Sequence, residues 1–148
     1  MIAAGAATKT PVAFCKDVAG ITSIPSPVIP TSDSTSAIAA GLAQLPAIET
    51  SLGKISAKAS AAGAMKTPFA AAYKVIASQV QKESADLSSL KTQATQLITL
   101  LDESSANSSS AIVKLAGYYA SALVASTTAA TYLTINRPAV IKTCGAGA

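Results

Sequence analysis

Apolar residues recur in alternating steps of three and four along the centre of the chain: Phe69, Tyr73, Ile76, Val80, Leu87, Leu90, Ala94, Leu97 and Leu101. Such steps put side chains on one stripe of a helix, so the pattern predicts a long helix from Pro68 to about Leu101. A single step is missed, and the residue that occupies it is Glu83. A carboxylate on a seam is expected at a frayed edge of the stripe or against a lysine rather than as a ligand. Thr67 and Pro68 supply the start signal, because threonine caps free amides and proline loses nothing at the first helical position.

Two further stripes flank this one. Ile38, Leu42, Leu45, Ile48, Leu52, Ile55, Ala59 and Ala62 predict a first long helix ending at Gly63. Pro46 lies inside it and predicts a kink or short break near Ala43 to Leu45, since proline removes one hydrogen bond and crowds the preceding turn. Downstream, Ile112, Leu115, Tyr119, Ala122, Ser126, Ala129 and Leu133 mark the buried face of a third long helix, opened by Asn and Ser capping residues. Its threonines lower helix propensity, but the period argues against a strand. Pro138 is expected to stop it. Near the start, Thr10 and Pro11 followed by Phe14, Val18 and Ile21 predict a short helix. Between it and the first long helix, residues 23–33 are rich in Pro, Ser and Thr and favour extended polyproline-like chain. That segment reads as a packed connecting loop, because Ile24, Val28 and Ile29 would otherwise be exposed.

These elements make an all-α fold, an antiparallel bundle of three long helices plus a short N-terminal helix, in one elongated domain covering residues 1–148. With the long helices running up, down and up, the third is expected to end at the pole where the first begins, and the short helix is expected at that same pole. Cys15 and Cys144, the two cysteines, can then meet. A disulfide there would close nearly the whole chain, and no metal-type spacing claims either thiol, although a buried free cysteine also behaves as a small hydrophobe. A disulfide implies an oxidising compartment outside the cytoplasm.

Composition narrows the picture. Half of the 148 residues are hydrophobic, yet only 4% are aromatic and 12% charged, and histidine and tryptophan are absent. The apolar content is mostly alanine, so the core consists of many small contacts. No run reaches the roughly 18 apolar residues that a membrane span needs. The opening "MIAAGAATKTP" lacks the basic and long apolar regions of a signal peptide, so residues 1–9 are expected to be disordered or the remnant of a removed leader. The stretches "AFCKDVAGI", "LPAIETSLGKISAKA" and "IKTCGAGA" look like those of small secreted proteins and lipoproteins of actinobacteria, which resemble this chain in their alanine-rich helical domains with one early and one terminal cysteine. The resemblance implies export and a helical fold.

Candidate chemistry is sparse. Without histidine the usual triads are excluded. Ser51 to Lys54 and Ser88 to Lys91 match a Ser-x-x-Lys spacing, but the accompanying Ser-Asp-Asn and Lys-Thr-Gly elements are missing, so no enzyme is expected. Carboxylates are too few on the first and third long helices for a metal site, and no metal or cofactor is expected. Lys54, Lys58, Lys66, Lys74 and Lys82 span a stretch without an acidic residue, around the turn between the first two long helices. They form either a solvated bundle end or a contact for anionic lipid or cell-wall polymer. Nucleic acid is a poor partner for a chain with one arginine and few aromatics. Tyr118, Tyr119, Ser121, Ala122, Ala125 and Tyr132 pattern as close helix packing or as a slot for an acyl chain or other flat hydrophobe. Asn107 to Ser109 fit a glycosylation sequon but read more simply as a helix cap. The function expected is a non-catalytic, secreted or cell-surface binding or scaffolding module. The alternative is a carrier of a hydrophobic small molecule, with haem disfavoured by the lack of histidine.

Overall fold

In the computed structural model the described residues are 11–27 and 34–145. They form four helices: α1 (Val12–Ala19), α2 (Thr35–Gly63), α3 (Ala70–Asp102) and α4 (Ser108–Cys144). The expectations for residues 1–9, Thr10, Val28 and Ile29 lie outside the described residues. The three long helices run antiparallel to their chain neighbours as a bundle, and among the described residues none is long and apolar enough to cross a membrane.

α3 is the central helix. Every seam position from Phe69 to Leu97 is buried, and α3 packs against α2 on one side and α4 on the other. Among the described residues no Cα of α2 comes within 8 Å of one in α4. Part of the space between those helices is occupied by α1 and the extended chain after it, where Ile21, Ile24 and Pro27 are buried at intervals of three. Three residues per turn is the period of polyproline-type chain, so this segment turns one edge to the bundle throughout. The expectation of a packed connector holds for its described part.

The pole of attachment differs from expectation. Two reversals return the chain to its original direction, so α4 ends at the pole where α2 ends, not where α2 begins. There Phe14 stacks on Phe69 with ring centroids 5.8 Å apart and meets Tyr73 edge-on at 5.6 Å. Cys15 and Cys144 form the disulfide, with Cα atoms 5.5 Å apart. Nearby, Arg137 Nη1 donates to the Ile21 carbonyl at 3.1 Å. Gly63 sits at the same turn because α2 approaches α3 closely there: a Cβ would lie 2.7 Å from Lys74 Cγ and 3.0 Å from the Lys74 backbone nitrogen.

Neither internal proline ends a helix. α2 is unbroken through Pro46, whose carbonyl accepts a hydrogen bond from Thr50 Oγ1 at 2.9 Å. α4 continues past Pro138 for six residues. A proline inside a helix costs about 3 kcal/mol. Continuing buries Val140, half-buries Ile141 and brings Cys144 to Cys15, and these gains outweigh that cost. α3 starts later than expected, at Ala70: Thr67 Oγ1 does accept the Phe69 amide at 3.2 Å, but Pro68 stays in the turn. Asn107 holds the cap position of α4 without a side-chain cap bond. Threonines are accommodated by donating to the carbonyl one turn back, as Thr95, Thr128 and Thr143 do.

The disulfide closes a sequence separation of 129 residues. In the chain-entropy account a loop of that size stabilises by about 5 kcal/mol, less any native strain. Replacing both cysteines by serine is therefore expected to lower the urea midpoint while leaving the far-ultraviolet helical signal in place at low denaturant. An unchanged midpoint would show that the bond constrains nothing.

Candidate functional site

The pole at which α1, the α2–α3 turn and the end of α4 meet is rich in lysine. Lys54 and Lys58 come from the last part of α2, Lys66 from the turn and Lys74 from the first turns of α3. The tertiary structure adds Lys16 on α1 and Arg137 and Lys142 on α4 to the same end. Asp17 is the one acidic residue at this end among the described residues. Sequence reasoning missed Lys16 and Lys142 because it assigned α1 and the end of α4 to the wrong pole. The parallel direction of the first and third helices in an up-down-up chain was the signal that could have found them. Lys82 lies further down and is committed elsewhere, donating to Asp86 Oδ2 at 3.2 Å and to Ser121 Oγ at 2.6 Å.

Within this region one groove gathers complementary groups. The extended chain contributes Thr22 and Ser23, and α2 contributes Ser51, Lys54 and Lys58, around a solvent-open space of about 230 Å³. α2 places Ser51, Lys54 and Lys58 on one face by steps of three and four. The Lys58 side chain lies against Gly20, with its ammonium group where a Cβ would stand. That contact sets a positive charge at the C-terminal end of α1, where carbonyl groups concentrate negative potential. Two ammonium groups and three hydroxyls facing one opening form a donor set for an oxyanion such as a phosphate group. The Ser51–Lys54 pair lines this groove with no hydrogen bond joining its members, while Ser88 and Lys91 lie exposed on α3.

The tyrosine-rich part of α4 is distributed over several surroundings. Tyr118 and Ser121 line an open groove with Asp86, Gln93 and Lys114. Ala122 and Ala125 are buried, Tyr119 is half-buried and Tyr132 is 39% exposed. Of these six residues, Tyr118 and Ser121 line this groove and the other four do not.

Glu83 corrects the expectation of an edge position or a lysine partner. It is fully buried on the α3 seam, and neither carboxylate oxygen has a hydrogen-bond partner. Loss of solvent raises its pKa to about 8, so at neutral pH it is mainly the uncharged acid. Tyr73, also buried with an unpartnered hydroxyl, is shifted upward by burial, opposed by the charge of Arg137.

Because the folded state holds the Glu83 proton more tightly than the unfolded chain, stability is greatest below the ordinary glutamate pKa of 4.5 and falls as pH rises towards about 8. The slope is about 1.4 kcal/mol per pH unit for one such group. Glu83→Leu is expected to stabilise the protein, with an advantage over the parent that is larger at pH 8 than at pH 5 in urea denaturation. An advantage independent of pH would contradict the assignment.

No known protein family, no curated protein and no solved structure matches the chain.

Proposed function

We propose that this protein is a non-catalytic, extracytoplasmic binding or scaffolding module that uses its lysine-rich pole to hold phosphate-bearing anionic material at the cell envelope. The observation that carries this reading is the groove in which Lys54 and Lys58 converge with three hydroxyls, set within a pole whose charges come from all four helices. A ring of ammonium groups with little acidic compensation attracts an anionic surface over about a Debye length, and the groove offers one oxyanion a direct seat. The disulfide favours an oxidising compartment and so supports placement outside the cytoplasm. Anionic lipid headgroups and cell-wall phosphate polymers present the same chemistry to this pole. Carriage of a hydrophobic molecule has less support, since the residues patterned as a slot do not surround one space.

Sedimentation with anionic vesicles, with neutral vesicles and with a soluble polyglycerol phosphate tests the reading and separates the two sources. Binding to an anionic partner is expected, falling steeply with added salt. Near an anionic surface each lysine contributes about 1 kcal/mol, so Lys54→Ala with Lys58→Ala should weaken binding about thirty-fold. Retention by vesicles alone would assign the lipid, and retention by the polymer in solution would assign the wall material. No binding to either at low salt, or full binding by the double variant, would overturn the proposal.

A further inference from the structure

The outward side of α4 carries almost no charge. Between Lys114 and Arg137 the helix has no charged residue. Three of its exposed large apolar side chains are Val113, Val124 and Ile135, which are 72%, 65% and 70% exposed. They are spaced by eleven residues, close to three full helical turns, so they align along the axis opposite the buried Leu115, Ala122, Ala129 and Val140. Thr128 and Thr131 lie on the same side, and their hydroxyls are already satisfied by the carbonyls of Val124 and Thr127 at 2.8 and 2.9 Å. The face therefore makes little demand for water. An uncovered apolar stripe of this kind marks an interaction surface.

The spacing suits a second copy of the chain. Equal intervals make the stripe palindromic about Val124: reversed end for end, Val113 falls on the position of Ile135, and Gly117 falls on that of Thr131. An antiparallel second copy therefore presents Val124 to Val124, Val113 to Ile135, and the open space at Gly117, where a Cβ would meet nothing within 4 Å, to Thr131. Charge favours the same direction. An antiparallel pair places the lysine-rich pole of one copy at the same end as Asp102 and Glu103 of the other, whereas a parallel pair would set two lysine-rich poles side by side.

From this geometry we infer that the protein forms a symmetric antiparallel dimer through the outward face of α4, with its two-fold axis at Val124. A two-fold interface uses the same patch on both copies, which is the property the palindrome supplies. The stripe is about 33 Å long and roughly one helix wide, at the small end of specific interfaces, so a weak and reversible dimer is expected. The dimer does not depend on the anion-binding proposal. If both hold, the two lysine-rich poles lie at opposite ends of the pair, and one dimer joins two anionic surfaces.

The test uses the intact chain. Sedimentation velocity at about 100 µM should give the dimer mass, and Val124→Lys should give the monomer mass with the parent's far-ultraviolet helical signal, because that position is exposed in the single chain. A short bismaleimide should link Val124→Cys to itself rapidly. It should not link Val113→Cys to itself, since those positions lie about 33 Å apart in the antiparallel pair, but should link Val113→Cys to Ile135→Cys when the two are mixed. A monomer at about 100 µM would overturn the inference. So would a dimer that survives Val124→Lys, or self-linking of Val113→Cys as fast as that of Val124→Cys.

Discussion

The seam of α3 is the constraint on which the rest of the molecule depends. It faces two neighbours at once, and its alternating steps bury Tyr73, Ile76, Val80, Leu87, Leu90, Ala94 and Leu97 while α2 and α4 stay apart from each other. Many small side chains on the flanking helices pack against these larger ones, so an alanine-rich chain can form a core despite having few aromatic residues. Glu83 sits in the middle of this seam as an uncharged acid without a hydrogen-bond partner. It is a site where burial by the surrounding helices overrides the preference of one side chain for water.

A bundle held by one central helix leaves an opening between its outer two, and the amino-terminal part of the chain fills one end of it. Phe14 against Phe69 and Tyr73, the Cys15–Cys144 disulfide and the Arg137 bond to Ile21 fasten that part to α3 and α4 at three points. The same requirement explains why α4 tolerates Pro138. Stopping at that residue would leave Val140, Ile141 and Cys144 short of the contacts that close the pole. Local backbone preference is a matter of a few kilocalories per mole, and the combined burial and covalent closure exceed it.

Closure of that pole also sets the charge distribution. Bringing α1 and the end of α4 to the α2–α3 turn collects lysines from every helix at one end, while Asp102 and Glu103 mark the other. Along α4 the side not used by the core is left without charge between Lys114 and Arg137. The polar end and the apolar flank are thus separate surfaces of the bundle.

Periodicity alone determined the all-α class, the three long helices and most of their buried positions, because a stripe repeating at three and four residues has one low-energy way to leave water. It also singled out Glu83, while the charge pattern marked the lysine-rich turn and the two cysteines were expected to pair, though at the opposite pole of the bundle. It could not decide whether Pro46 and Pro138 interrupt their helices, since that depends on what the following residues reach. Tertiary structure alone decided that Thr22 and Ser23 face Lys54 and Lys58, that α1 and its extended chain lie between α2 and α4, and that Tyr118 lines a groove with Asp86 and Gln93 of α3. Each of these depends on how separate helices are placed and rotated against one another, and that is set by packing between residues far apart in the chain, about which a local repeat carries no information.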